Sequence, residues 1–294
     1  MKPQRTLSYS QRIISISLLY NLNFFKALLG VWCMSLVKAK KHLGQHFLTD
    51  KGIAKRIVES LVNTDKYNQV LEVGPGMGIL SDFLLQREDL QTYLIDIDTE
   101  SFHFLNEKYP ELGDRLINGD FLKLDFDAIF PGQFAIIGNF PYNISSQILF
   151  KILDNRYKVV EMVGMFQKEV AQRCASPAGT KDYGILSVFL QAYYKIDYLF
   201  TVKPGTFNPP PKVHSAVIRL TRNEVETLDC DEKLFWRVVK AGFNQRRKTL
   251  RNAVSAVMPK DKMDEHSYFE KRAEQLTVAD FVALTQHLSK LMAL

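Results

Sequence analysis

Val70-Leu71-Glu72-Val73-Gly74-Pro75-Gly76-Met77-Gly78 sets the fold class of this chain. Its first four residues have the length and apolar character of a buried strand, the glycines follow at once, and Ile79, Leu80, Phe83 and Leu84 recur at helical spacing. Strand, glycine turn and helix make the nucleotide-binding unit of α/β sheets, in which glycine lets the backbone approach a ligand. The spacing is G-x-G-x-G. A dinucleotide fingerprint would place its third glycine at position 79, which is Ile, so the turn favours a nucleoside over a pyrophosphate.

Working outward, Thr92-Tyr93-Leu94-Ile95 reads as a second strand ending at Asp96, 22 residues after Gly74. An acid about 20 residues on is the usual acceptor for ribose hydroxyls. Asp96 fits, with Asp98 as its competitor. Leu116-Ile117 leads into Asn118-Gly119-Asp120-Phe121, which sets another carboxylate at a strand end, within reach of an adenine amino group. A single aspartate there is as readily a helix cap. Three acid or glycine sites at successive strand ends point instead to one shared ligand.

Ala135-Ile136-Ile137 is a further buried strand, followed by Gly138-Asn139-Phe140-Pro141-Tyr142-Asn143 and then by apolar residues at helical spacing, Ile148, Leu149, Ile152 and Leu153. This turn lies at a carboxyl strand end, where open α/β sheets bind ligands. Pro141 lacks an N–H and fixes its own φ, which leaves the Phe140 carbonyl and the Asn139 side-chain oxygen as two acceptors for one small donor group. Tyr142 offers a flat face for a base. The plainer alternative is a loop whose Asn caps a turn and whose Tyr packs.

The chain of 294 residues, 46% hydrophobic and 24% charged, has room for one large and one small globular domain. Its net charge of +6 is concentrated at the start: residues 1–49 hold Lys2, Arg5, Arg12, Lys26, Lys38, Lys40 and Lys41 and no acid. Four of these precede Met34, so the rest of the chain carries only +2. Cys33, Cys174 and Cys230 are odd in number and far apart, which argues against a disulfide scaffold or zinc site and for a reducing, cytoplasmic setting. His42 and His46 lack further ligands, so no metal is expected. Ile13–Met34 is too interrupted to span a membrane and has a poor signal-cleavage site, although it has the basic, acid-free character of a transit peptide. Residues 1–34 are expected to be a non-native or disordered extension, with translation starting at Met34.

Taken in order, Lys41-His42-Leu43-Gly44-Gln45-His46-Phe47-Leu48, Glu72 to Gly78, Asp96-Ile97-Asp98, Gly119-Asp120, Asn139 to Tyr142 and Phe207-Asn208-Pro209-Pro210-Pro211-Lys212-Val213 resemble the motifs of the ribosomal RNA adenine dimethyltransferase family. The resemblance runs from about Lys38 to the C-terminus. It is to the bacterial enzymes that dimethylate two adjacent adenosines in the hairpin near the 3′ end of small-subunit (16S) ribosomal RNA. It implies S-adenosyl-L-methionine as methyl donor, with His46, Leu48, Gly74, Gly76, Asp96, Asp120 and Asn139 at cofactor positions. His46 stands where the family often has Asn, and Asp96 where it often has Glu.

The chemistry then expected is methyl transfer to adenine N6, a poor nucleophile because its lone pair is delocalised. Asn139 Oδ1 and the Phe140 carbonyl, held by Pro141, would each accept one N6–H and stabilise the positive charge that develops on nitrogen. An unstacked target base would lie between Tyr142 and Phe207.

Val159 to Phe166 reads as another central strand, Lys168 to Cys174 as helix and Ser176 to Tyr183 as a polar loop. Tyr193–Lys203 and Val213–Thr221 read as a closing antiparallel pair. The expected fold is α/β: a Rossmann-like methyltransferase sheet with an antiparallel edge (35–222) and a small all-α C-terminal domain (223–294). Within the latter, Leu234, Phe235, Val238, Val239 and Phe243 mark a helix face, and Arg246, Arg247, Lys248 and Arg251 form the densest basic cluster, read as phosphate-contacting. Lys38, Lys40 and Lys41 are a second candidate patch. The expected partner is small-subunit rRNA in an immature 30S particle, bound by a monomer without a membrane. The alternatives are a large-subunit (23S) rRNA adenine methyltransferase of the antibiotic-resistance type, a non-catalytic ribosome-assembly or transcription factor and, more distantly, a nicotinamide dehydrogenase.

Overall fold

The computed structural model describes residues 37–293; the expectation for residues 1–34 lies outside them. The strands are β1 (Phe47–Leu48), β2 (Gln69–Val73), β3 (Gln91–Asp96), β4 (Leu116–Asn118), β5 (Phe134–Asn139), β6 (Val159–Gln167), β7 (Tyr194–Val202), β8 (Phe207–Asn208) and β9 (Ser215–Arg222). Seven of them form one sheet in the order β4-β3-β2-β5-β6-β9-β7, and β1 pairs with β8 in a separate two-residue ladder. The strands from β4 to β6 are parallel; β9 runs antiparallel to β6, and β7 antiparallel to β9. The antiparallel edge is therefore where the sequence indicated, with bounds shifted by one or two residues.

Side chains alternate across a strand, so each central strand supplies two apolar layers. Leu71 and Val73 of β2 and Ile136 of β5 join one cluster, while Val70, Ala135 and Ile137 join the other. The first layer is covered by helices Ser145–Asp154, Lys168–Ala175 and Ile185–Tyr193, the second by Lys51–Val58 and Ser81–Leu84. Buried Glu161 on β6 ties the segment before β2 to the sheet, accepting from the Asn63 amide N–H at 3.0 Å and the Tyr67 hydroxyl at 2.6 Å.

The regular structure after β9 is helical, with one isolated bridge between Thr249 and Arg272. Helix Glu232–Asn244 starts at Asp231, whose carboxylate accepts from the N–H groups of Lys233 and Leu234, a standard way of satisfying a helix N-terminus. It buries Leu234, Phe235, Val238 and Val239 in the same cluster as Leu149 and Phe189. Helix Val278–Met292 adds Phe281, Leu284 and Leu288. The boundary expected at 222/223 is thus not a break in the core: from Ala39 onward the described residues form one compact unit. Among them no helix is long and apolar enough to cross a membrane.

Candidate active site

Beyond β2 the chain turns through Gly74 and Gly76 at φ of 68° and 59°, a region that favours glycine. A Cβ on Gly76 would lie 2.7 Å from the Phe47 ring, so that ring packs directly on the backbone. A Cβ on Gly74 would meet nothing within 4 Å, and Gly74 lines a pocket: the bare backbone there borders open space. The same pocket reaches the ends of β3, β4 and β5.

At the end of β3, Asp96 accepts one N–H on each oxygen, from Asp98 at 2.8 Å and from Gly76 at 3.2 Å. It is 5% exposed, and burial pushes its pKa up to about 6. Each oxygen keeps a lone pair, so Asp96 remains able to accept from a ligand. Asp98 has other duties. Its carboxylate takes Lys40 Nζ at 2.5 Å and Gln45 Nε2 at 3.0 Å, and it caps helix Thr99–Lys108 through the Glu100 N–H. Those bonds hold its pKa below the ordinary range against the opposing effect of burial. Of the two acids only Asp96 lines the pocket. Lys40, expected in a phosphate patch, is engaged by Asp98 and Glu100 instead. Asp120 also lines the pocket while its Oδ1 accepts from the Leu122 N–H at 2.9 Å.

Asn139, at the end of β5, donates through Nδ2 to the His46 carbonyl at 2.9 Å, which fixes the side-chain amide. Among the described residues its Oδ1 and the Phe140 carbonyl have no donor. The Phe140 ring turns inward and is 1% exposed. It occupies a slot made by Gly138 and Gly164, neighbours on β5 and β6, where added Cβ atoms would lie 2.9 and 2.2 Å from it. Pro141 leads into one helical turn, Tyr142–Ile144. The Tyr142 hydroxyl meets Ser215 Oγ at 2.5 Å, which ties the turn to the start of β9.

Of the residues expected to act, His46, Gly74, Gly76, Asp96, Asp120, Asn139, Phe140, Pro141 and Tyr142 all border this one pocket. Leu48 borders an adjoining recess that shares Phe47, Gly74 and Asn139 with it. Glu72 also faces that recess; burial pushes its pKa up to about 8, with Ser81 Oγ donating to it at 2.6 Å.

Two expectations need correction. Phe207 is 4% exposed and packs in the core with Leu48, its partner across the β1/β8 ladder, so its ring offers no face to the pocket. The basic cluster is divided: Arg246 donates to the carbonyls of Thr180 and Lys181, and Arg251 to those of Met263 and Asp264. Both guanidiniums serve the fold, whereas Arg247 and Lys248 are exposed.

Ile97 is a lining residue that the sequence reading passed over. It is 55% exposed, unusual for an apolar side chain, and it borders the pocket next to Asp96. The signal available was its position between two acids immediately beyond a strand. Phe47, which borders both recesses, was likewise quoted without a role.

These groups fit the S-adenosylmethionine that the resemblance implies. Bare backbone at Gly74, a carboxylate with free lone pairs in Asp96, a second carboxylate in Asp120 and apolar Ile97 and Leu122 suit an adenosine. The two unpaired acceptors on the Asn139–Phe140 turn suit an amino group with two hydrogens.

Comparison with known proteins agrees. A family model described as ribosomal RNA adenine dimethylase matches residues 36–290. The "Ribosomal RNA small subunit methyltransferase A" of Cytophaga hutchinsonii is 56% identical over 256 residues, covering 87% of this chain and 99% of that protein. Among solved structures, a dimethyladenosine transferase from Plasmodium falciparum superposes with a TM-score of 0.69 at 26% identity, covering 84% of this chain and 98% of that one. The 23S rRNA methyltransferase ErmE gives 0.60 at 25%, covering 81% and 99%. With matches spanning most of its length, this chain belongs to the ribosomal RNA adenine dimethylase family.

Proposed function

We propose that this protein dimethylates N6 of two adjacent adenosines in the 3′-terminal hairpin of small-subunit ribosomal RNA, acting as a monomer on an immature 30S particle in the cytoplasm. The observation that carries this is the pair of unpaired acceptors, Asn139 Oδ1 and the Phe140 carbonyl, on a turn bordering a pocket suited to adenosine.

S-adenosylmethionine, when bound, supplies a methyl group on a positively charged sulfur that departs as a neutral thioether. Asp96 and the Gly74 backbone would hold the adenosine portion, and Asp120 would supply an acceptor for the amino group of its base. Asn139 and Phe140 accept the two N6 hydrogens of the target, which draws the nitrogen lone pair out of conjugation. As positive charge grows on N6 these bonds strengthen, so they stabilise the transition state more than the ground state. Bonds to charged groups contribute roughly 1.5–3 kcal/mol each. The methylated nitrogen is acidic enough to lose its proton to water, so no tuned base is required. In the second transfer one N6 hydrogen remains and one acceptor suffices for it. Exposed Arg247 and Lys248, within residues 223–294, contact RNA phosphates.

Purified immature small subunits and large-subunit RNA, offered side by side with labelled methyl donor, test the proposal. Dimethyladenosine is expected in the small-subunit RNA. Label only in large-subunit RNA would mean the resistance-type activity, and label in neither would leave an assembly factor without catalysis.

A further inference from the structure

Resting on the methyl-transfer reading above, we propose that Tyr109 and Lys108 are positioning residues for the methyl donor, gripping the glycine turn from behind although neither borders the pocket or its adjoining recess. Helix Thr99–Lys108 connects two parts of the site. It starts at Asp98, whose N–H donates to Asp96, and it ends at the two residues that meet the turn. The Tyr109 hydroxyl lies 2.9 Å from the Gly78 carbonyl and 2.6 Å from Asp82 Oδ1, two acceptors for its one hydrogen. Burial and the neighbouring Asp82 carboxylate push its pKa up, so that hydrogen stays in place. Lys108 Nζ donates to the Met77 carbonyl at 3.2 Å and pairs with Asp82 at 2.9 Å. Two consecutive carbonyls of the turn are therefore tied to one helix end. The approach is close: a Cβ on Gly78, whose φ is 79°, would lie 2.6 Å from the Tyr109 hydroxyl oxygen.

Gly74, Gly76 and Gly78 all sit at positive φ, and a turn built on them is costly to order because glycine loses more conformational freedom than any other residue. Bonds from outside that order the turn beforehand leave less of that cost to the ligand, which raises affinity. Tyr109 is seated in a separate small cluster with Leu94, Leu105, Leu112 and Leu116, so the grip has a core of its own. The same helix thus sets Asp96 and the glycine turn relative to each other, and the Gly76 N–H, donating to Asp96 at 3.2 Å, closes the circuit between them.

Three variants test the grip. Tyr109→Phe removes the hydroxyl and keeps the ring; Lys108→Met removes the ammonium and keeps the stem; Lys108→Arg restores a donor. Calorimetric affinity for S-adenosylhomocysteine is measured beside stability in urea, and KM for S-adenosylmethionine beside kcat on immature small subunits. Tyr109→Phe is expected to weaken the affinity by about 2- to 12-fold, the range for one lost hydrogen bond, and to raise KM for the donor by more than kcat falls. Lys108→Met is expected to weaken it by about twofold or more, with Lys108→Arg recovering most of the loss. A bond that served the fold alone would lower stability in urea and leave the affinity of the folded protein unchanged. That result in one variant removes its residue from the role, and in both it overturns this inference alone. A parent that binds S-adenosylhomocysteine yet leaves small subunits unmethylated overturns the methyl-transfer reading, while the affinities still decide the grip.

Discussion

The Asn139 side chain donates to the main-chain oxygen of His46 at 2.9 Å, across 93 residues of sequence. The N-terminal motif thereby sets the rotation of the amide, and with it the side on which Oδ1 is presented. Asn139→Ala removes the acceptor and keeps the Phe140 carbonyl. Its single-turnover rate is expected to fall by about 10²–10³-fold, with RNA binding retained, because the lost bond acts mainly in the transition state. Equal rates in variant and parent would remove the acceptor mechanism.

The Gly138/Gly164 slot is tight enough to be tested by packing. Gly164→Ala would put a Cβ 2.2 Å from the Phe140 ring and 2.8 Å from Met162 Sδ, and is expected to cost about 1–3 kcal/mol or more. Phe140→Leu vacates part of the ring's space. In urea denaturation the double variant should be more stable than the sum of the two single effects, with a coupling of about 0.5–3 kcal/mol. Strict additivity would mean that the ring does not fill the slot.

Glu72 gives stability a pH dependence of known sign. Its pKa rises from the ordinary 4.5 to about 8 in the fold because burial disfavours the charged form. Between those values the folded state binds more protons than the unfolded one, so this group's contribution falls as pH rises through that window. Glu72→Gln removes the titration. Relative to the parent, its stability is expected to improve steadily from pH 5 to pH 8 in urea melts; a constant difference would show that Glu72 does not titrate in this range.

Asp96 has a smaller shift, to about 6, again from burial. Only its ionised form offers every oxygen lone pair to ribose hydroxyls. Calorimetric affinity for S-adenosylhomocysteine should therefore weaken as pH falls below about 6. In Asp96→Asn the affinity should be lower and this pH dependence lost.

The divided basic cluster predicts divided phenotypes. Arg247→Ala with Lys248→Ala should weaken RNA binding and lower the dependence of log K on log salt by about 1 per lost phosphate contact, leaving thermal unfolding nearly unchanged. Arg251→Ala should lower the unfolding temperature, since its guanidinium donates to the Asp264 carbonyl at 2.7 Å and lies 5.2 Å from the Phe269 ring centroid. The opposite pairing of effects would reverse the roles assigned here.

Most of the sheet was legible because its central strands are short apolar runs that stop at glycine, acid or Asn-x-Pro signals, each placed by local chemistry. Helix Ile185–Tyr193 was not read: it buries residues around most of its circumference, so no polar face marks a 3.6-residue period. At the candidate site, the places of Gly74, Asp96, Asp120 and Asn139 on one pocket were legible because strand ends of an open sheet border a common crevice. Competition between Asp96 and Asp98 was not, since it turns on Lys40 and Gln45 reaching Asp98 from far along the chain. The fate of Phe207 depended on a two-residue ladder with Phe47–Leu48, a length at which alternation carries no information. Charge density in 246–251 likewise did not reveal which guanidiniums meet main-chain carbonyls.

The ring of Phe140 lies in its glycine slot, while its carbonyl, without a donor among the described residues, belongs to the turn that borders the pocket. The residue is thus split into a keel and a working atom. Orientation of that oxygen is settled when β5 and β6 come together, once per folding event, and need not be found again at each turnover. The sheet acts as a jig: for the proposed acceptor, the entropy of aiming is met by core packing rather than drawn from the binding energy of RNA.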